Sequence, residues 1–186
     1  MIHEFQKYKS WSQGQRRADD LTTILAMIDG CVKVETSTID LDRSGIDYVA
    51  TLRRGARIYI DAKNRQKGCS RYWKGEPDLS LEIWSVMPAG KYNMPNYRAV
   101  TGWTLCERKD VDLILFKYDP SDCTKVFLVS YQLLRMAFRR NLEHWREVYH
   151  GDIQDSGKWQ SQCVFVPVSA VFKAIEKVSV HETVRV

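Results

Sequence analysis

The sequence has little that would indicate secretion, a disulfide framework or a structural zinc site. Five cysteines are scattered through 186 residues, and no two of them stand at C-x-x-C spacing. An odd number of cysteines without that spacing predicts reduced thiols and argues against zinc. No secretory leader pattern opens the chain, and no apolar run approaches the roughly eighteen residues that a membrane helix needs. We therefore expect a cytoplasmic protein without a membrane-spanning segment.

Internal repeats and low-complexity segments are also lacking, and neither sign of charge dominates strongly. Lysine and arginine number 28 against 23 acidic residues, which gives a net charge of +5, and 44% of the residues are hydrophobic. This composition predicts a folded domain and not a disordered chain. The mild positive charge suits a polyanionic partner without requiring one. We expect residues 1–14 to form an extended N-terminal arm and residues 15–186 to form a single domain.

The most informative stretch covers residues 45–65, GIDYVATLRRGARIYIDAKNR. It predicts two strands joined by a tight turn at Arg54-Gly55, because β-branched and aromatic residues flank that break. Alternation along the second strand places Asp61 and Lys63 on one face. A hairpin folded at this turn also brings Asp47 close to residue 62.

Two charged side chains on one face of an apolar strand require an explanation. Burying either charge alone costs several kcal/mol, so Asp61 and Lys63 should pair with each other or with a bound group. The carboxylates of Asp47 and Asp61 and the carbonyl of Ala62 are hard oxygen ligands of the kind that Mg²⁺ prefers. Lys63 can then orient water or stabilise charge on a phosphate. The alternative is a buried Asp–Lys pair that braces an ordinary sheet.

This pattern resembles the PD-(D/E)xK, or restriction-endonuclease-like, nuclease superfamily. In that superfamily an Asp on one strand and a D/E-x-K on the next bind metal and hydrolyse phosphodiesters. The matching residues here are Asp47, Asp61 and Lys63, while Ile46 replaces the proline of the family's name. The resemblance covers residues 15–148. It implies an α/β fold with a mixed central β-sheet flanked by helices, a restriction-endonuclease-like core, and cleavage of DNA that depends on Mg²⁺ or Mn²⁺.

Four further residues bear on the expected metal site. Some branches of the superfamily carry a glutamine near the scissile phosphate, in a helix after the D-x-K strand, and Gln132 occupies a comparable place. Glu82 lies on the polar face of a predicted strand and is a secondary candidate for binding metal or water. An acidic residue of the first helix often reaches the site in this superfamily. Asp19 or Asp20 could do so, but a solvated carboxylate at the start of a helix is the favoured interpretation.

Basic side chains that could contact phosphates fall into two groups. The helix predicted over residues 131–149 carries arginines opposite its apolar stripe, and guanidinium groups suit phosphate contacts. The stretch after Lys63 interleaves basic residues with Tyr72 and Trp73, which can stack on bases. The alternatives are a solvated helix face and a solvent loop. The candidate nucleic-acid-binding residues are Arg65, Arg71, Arg135, Arg139 and Arg140.

Elsewhere, periodicity and turn residues predict most of the remaining secondary structure. The expected elements are a helix over 15–28, strands over 31–36, 78–86, 110–118, 125–131 and 159–167, a long loop over 87–103, a helix over 169–176 and a β-like tail over 177–186.

The functional hypothesis is a small metal-dependent nuclease that cleaves duplex or branched DNA in repair, recombination or mobile-element and phage biology. A homodimer is one expected arrangement, because cutting two strands needs two sites. Two alternatives stay open: a non-catalytic module on the same fold that binds nucleic acid or protein, and a nuclease that acts on RNA. A requirement for the 2′-hydroxyl would favour the last of these.

Overall fold

The structure is a computed structural model that describes residues 20–65, 76–88, 98–118, 125–149, 151–155, 157 and 159–183. The side chains of residues 64, 65, 118, 125 and 181–183 lie outside the described part. All residues of the predicted N-terminal arm, and Arg71, lie outside the described part as well. The fold has mixed α/β content, with a mixed central sheet and flanking helices.

Helices and strands of the described residues are numbered in chain order. The described part of α1 covers residues 20–27. The elements that follow are β1 (Cys31–Thr36), α2 (Ile39–Arg43), β2 (Tyr48–Leu52), β3 (Arg57–Arg65), β4 (Asp78–Val86), β5 (Val100–Thr101), β6 (Leu113–Tyr118), β7 (Lys125–Ser130), α3 (Tyr131–Tyr149), β8 (Gly151–Asp155), β9 (Gln160–Pro167) and α4 (Val168–Thr183).

Two sheets are formed by these strands. The first has five strands in the order β1-β2-β3-β6-β7, and the second has four in the order β5-β4-β9-β8. The second sheet is antiparallel throughout and was not predicted. No helix among the described residues combines the length and the apolar character needed to cross a membrane.

The chain divides into two compact units. The first comprises the described residues up to Ala62 together with Asp110–Leu115, and the second comprises Lys63–Lys109 and the residues from Phe116 onward. Two of the three boundaries therefore fall within β3 and within β6, and the third lies between Lys109 and Asp110.

In the first unit, the predicted hairpin of β2 and β3 is observed. Tyr48 is paired with Ile60, and Ala50 with Ile58. The turn is closed by the Leu52 amide, which donates to the Ala56 carbonyl at 2.9 Å. Gly55 has a φ of +82°, a backbone conformation that a side chain disfavours, which explains a glycine at this position. The hairpin forms where the local sequence dictates it.

In the second unit, α3 and α4 pack on each other and on β9. Leu134 and Phe138 of α3 are fully buried, and burial of each such side chain contributes about 1.5–3 kcal/mol. Phe127 of β7 lies 5.9 Å from Phe172 of α4, measured between ring centroids. The predicted bounds of α3 are confirmed.

Several sequence-based predictions of local structure need correction. The strand predicted over 110–118 begins only at Leu113, and β8 was not predicted. Residues 37–44, for which the sequence predicted neither a helix nor a strand, contain the one-turn helix α2. The predicted long loop over 87–103 includes strand β5, which pairs with β4. The predicted β-like tail is helical as far as residue 183, because α4 continues. Its β-branched residues suggested a strand, but the buried residues Val171, Ala174 and Val178 are three or four positions apart and form one helix face.

Candidate functional site

Asp47 closes the open end of the β2–β3 hairpin in the first unit. Its amide donates to the Ile60 carbonyl at 2.9 Å. Its Oδ2 accepts the backbone N–H of Ala62 at 2.7 Å. The Asp47 carboxylate therefore accepts the hydrogen bond that a backbone carbonyl would accept if the pairing of β2 with β3 were longer. The predicted proximity of residues 47 and 62 is confirmed.

Asp61 lies on β3, one position before Ala62, and is buried, with only 1% of its surface exposed. The pairing of Tyr48 with Ile60 places Asp47 and Asp61 one step further along the same two strands. A buried carboxylate is stable only when charged or polar groups surround it, and Asp61 does take part in such interactions. The first unit thus holds two carboxylates at one end of a hairpin.

The chemistry of this donor set fits a hard divalent cation. Carboxylates of Asp47 and Asp61 and the Ala62 carbonyl supply oxygen only, which suits Mg²⁺ or Mn²⁺ and not a soft metal. No group of three or more His, Cys, Asp or Glu side chains that could hold a metal occurs among the described residues. Two carboxylates with a carbonyl are a smaller set, of the kind through which Mg²⁺ binds while it keeps several waters.

Asp112 provides a structural parallel to Asp47 in the same unit. Its Oδ2 accepts the backbone N–H of Tyr59 at 2.8 Å, and its own amide donates to the Tyr59 carbonyl at 2.9 Å. Both aspartates therefore use a carboxylate to satisfy a backbone donor of β3. Asp112 is exposed and does not belong to the D…D-x-K pattern.

Asp20 does not have the solvated position that the sequence favoured. It is 2% exposed, and its Oδ2 accepts the hydroxyl of Tyr48 at 2.9 Å. The expectation of a solvated carboxylate is wrong, because α1 presents this residue to β2 and not to water. Asp19 lies outside the described residues. Since Tyr48 follows Asp47 in the chain, Asp20 ties the first helix to the strand that begins beside Asp47.

Lys63 is the first residue of the second unit. Its Nζ lies 5.2 Å from the centroid of the Trp103 ring, which is a cation–π contact. A second ammonium, that of Lys109, lies 6.0 Å from the same ring. Lys63 and Trp103 are both half-buried. The lysine of the D-x-K pattern thus has a defined aromatic neighbour.

Glu82 holds the segment that carries Trp103. Its Oε2 accepts the backbone N–H of Trp103 at 3.0 Å and the hydroxyl of Ser85 at 2.6 Å. Its own backbone N–H donates to Thr104 Oγ1 at 2.9 Å. Gly102 donates to the Ile83 carbonyl at 2.8 Å. We call residues 102–107 the Trp103 loop, and β4 fixes the start of this loop through Glu82.

Helix α3 holds the other end of the Trp103 loop. The Tyr131 hydroxyl lies 2.8 Å from the Trp103 carbonyl and 2.6 Å from the Cys106 carbonyl, so it can donate to either. Arg135 donates to the Cys106 carbonyl through Nη1 at 3.4 Å. Arg135 therefore contacts the loop, and the loop is fastened from two sides.

The arginine face of α3 is less free to contact phosphates than the sequence predicts. Arg139 pairs with Glu107 of the Trp103 loop at 2.5 Å. This hydrogen bond and the charge of Arg139 lower the pKa of Glu107 below its usual value near 4.5. Arg140 and Gln132 are exposed at the helix surface. The backbone of Arg65 lies at the end of β3, and Arg71 is outside the described residues.

Sequence reasoning missed Trp103, Thr104 and Gly102. No local pattern marks them, since each acts through a contact with a residue that is distant in the chain. The comparisons with known proteins add no further candidate: no family model, no curated protein and no solved structure matches this chain.

Proposed function

We propose that this protein is a metal-dependent nuclease that hydrolyses phosphodiester bonds of DNA. The observation that carries the proposal is the hydrogen bond from the Ala62 amide to Asp47, which brings one carboxylate to the strand that holds the other. Asp61 precedes Ala62, and Lys63 follows it. A restriction-endonuclease-like core is part of the same proposal.

Each residue has a role in this proposal. Asp47, Asp61 and the Ala62 carbonyl bind Mg²⁺ or Mn²⁺, which when bound supplies Lewis acidity toward the phosphate and its attacking water. Lys63 keeps a positive charge close to the phosphate and orients the water that attacks phosphorus. Its contribution is electrostatic, since negative charge grows on the phosphate oxygens as the bond to the leaving oxygen breaks.

DNA is the proposed substrate, with duplex or branched forms preferred to RNA. The net charge of +5 favours a polyanion. The exposed Arg140 of α3 is the proposed contact with the DNA backbone, and the exposed Gln132 of the same helix is proposed to lie near the scissile phosphate. Arg135 and Arg139 support the Trp103 loop and have a smaller proposed share in binding.

A non-catalytic module that binds nucleic acid is the second candidate. It is favoured by the fact that the Asp47 carboxylate already satisfies a backbone donor, which gives it a structural reason to be there. The two candidates differ in one respect: only a nuclease needs the charge of Lys63 for turnover.

The test is cleavage of labelled single-stranded, duplex and branched DNA, and of RNA, with Mg²⁺, with Mn²⁺ and with a chelator. Lys63→Ala should still bind but should lose activity by about 10²–10⁴-fold, the usual contribution of a catalytic proton-transfer or charge-stabilising group. Lys33→Ala is the matched control, since Lys33 is an exposed lysine of β1 that pairs with Glu35 at 2.8 Å. If the unmutated protein binds nucleic acid but does not cleave it, the nuclease proposal is wrong and the non-catalytic binding module is supported. Cleavage of RNA alone would move the proposal to a ribonuclease.

A further inference from the structure

Lys63 has a long, flexible side chain, and its proposed catalytic role requires the ammonium group to be held in one position. An ammonium on four methylene groups samples many rotamers, so a catalytic lysine needs a group that selects one of them. The Trp103 ring is such a group, at 5.2 Å from Nζ to the ring centroid. We infer that Trp103 is a positioning residue for Lys63 and that Glu82 acts through Trp103. This inference rests on the proposed nuclease function.

An aromatic ring suits this task better than a carboxylate would. The face of an indole attracts a cation through its quadrupole but carries no formal charge. The ring contact therefore orients Lys63 without placing a further negative charge beside its ammonium. A salt bridge in the same place would cancel the charge that the reaction uses.

Trp103 can position another residue only because it is itself fixed. Its ring contacts that of Phe116, with 6.0 Å between the centroids. Its backbone amide donates to Glu82 Oε2 at 3.0 Å, and its carbonyl lies 2.8 Å from the Tyr131 hydroxyl. Three residues of the second unit thus hold Trp103: Glu82 of β4, Phe116 of β6 and Tyr131 of α3.

Glu82 can act either as a metal ligand or as the hydrogen-bond acceptor for the Trp103 amide. The two roles predict different activities for the variants of Glu82. As a metal ligand it would act through its negative charge. As the acceptor for the Trp103 amide it needs only an oxygen of the same length and geometry. Glutamine keeps that oxygen and removes the charge, while leucine removes both. The contacts of Oε2 with Trp103 and Ser85 favour the acceptor role.

The experiment compares Trp103→Phe, Trp103→Leu, Glu82→Gln and Glu82→Leu with the unmutated chain. Single-turnover cleavage at saturating DNA gives the rate, and a separate titration with the same DNA in chelator gives the affinity. The ring-current shift of the Lys63 ε-methylene in NMR reports the ring contact independently of activity. Trp159→Leu is the control for the loss of a tryptophan, since Trp159 lies just before β9 and is 39% exposed.

Trp103→Leu should lower the cleavage rate by about 10- to 100-fold, the effect of misplacing a catalytic group, and leave DNA affinity within about 2-fold. Trp103→Phe should recover most of that loss because it keeps an aromatic face. The ring-current shift should be present in the unmutated chain and absent in Trp103→Leu. The cleavage rate of Glu82→Gln should be about 10-fold higher than that of Glu82→Leu. If Trp103→Leu does not fold, the comparison of these two variants tests the inference.

Equal losses in Trp103→Phe and Trp103→Leu, or full activity in a folded Trp103→Leu, would overturn the positioning role of Trp103. Equal losses in Glu82→Gln and Glu82→Leu would show that the charge of Glu82 acts directly, which would overturn its role through Trp103. If the unmutated chain shows the ring-current shift but cleaves no substrate, the proposed function fails and this inference fails with it.

Discussion

Gly102 of the Trp103 loop lies against the backbone of β4, and replacing it with alanine tests how closely the loop and this strand approach each other. A Cβ at Gly102 would lie 2.3 Å from the Glu82 carbonyl oxygen and 2.7 Å from the Ile83 carbonyl carbon. These are backbone atoms of a strand, so no side-chain rotation can relieve the overlap. Either the loop or the strand must move.

The cost follows from what that movement breaks. Overpacking in a well-packed interior costs about 1–3 kcal/mol, and a clash with backbone belongs at the upper end. Displacing the loop also weakens the bond from the Gly102 amide to the Ile83 carbonyl, at 2.8 Å. We expect Gly102→Ala to lower the free energy of unfolding by about 3 kcal/mol. At about 2–4 °C per kcal/mol for a chain of this size, the Tm should fall by about 6–12 °C.

Urea denaturation followed by far-UV circular dichroism measures this change, and Gly151→Ala is the matched control. A Cβ at Gly151 would meet Gln162 Nε2 at 3.5 Å, an ordinary contact, so its effect should stay within about 0.5 kcal/mol. If Gly102→Ala were as stable as the control, the loop would not lie against Glu82. The fixing of Trp103 by β4 would then be wrong.

Three further predictions concern stability and charge. Tyr48→Phe removes one hydrogen bond from the buried Asp20 and should cost about 1.5–3 kcal/mol in urea denaturation; an unchanged midpoint would contradict the contact. Arg139→Gln should raise the pKa of Glu107 in an NMR titration, and an unmoved pKa would exclude the pair. Because folding lowers that pKa, the pair stabilises the fold above the pKa of the unfolded carboxyl, and its contribution disappears as the pH falls through the folded value. Gly55→Ala places its Cβ in open space but keeps a φ of +82°, so it should lower the free energy of unfolding by about 1–2 kcal/mol. Gly55→Asn should lower it by less, because asparagine adopts this conformation more readily.

Local patterns made much of the secondary structure predictable. Strand β4 and helix α3 were predicted with their observed bounds, since each combines a clear period with a clear break. The β2–β3 hairpin was predictable for the same reason. Its turn and both strands lie in one short stretch, so the approach of Asp47 to Ala62 followed from the sequence.

Elements that depend on distant partners could not be predicted in this way. Strand β5 has only two residues and is a strand because it pairs with β4. The contact of Lys63 with Trp103 joins residues forty positions apart, and nothing in the intervening sequence indicates it. The first half of α4 was predicted as a helix, but the part from residue 177 was misjudged, because β-branched residues favour strands in isolation while burial of one face keeps them helical here.

The measurement that tests the central claim most directly is single-turnover cleavage of the preferred DNA by Asp47→Asn beside Asp112→Asn. Asparagine keeps a carbonyl oxygen for the backbone donor at each site but removes the charge that a metal ligand supplies. The two aspartates share the same structural task, with Oδ2 accepting the amides of Ala62 at 2.7 Å and Tyr59 at 2.8 Å.

Both variants should therefore fold, and their melting temperatures check this. Asp47→Asn should lose metal-dependent cleavage by about 10²-fold or more, while Asp112→Asn should cut at the rate of the unmutated protein. Equal rates for all three proteins, or an unmutated protein that cuts no nucleic acid with Mg²⁺ or Mn²⁺, would contradict a metal site at Asp47 and Asp61.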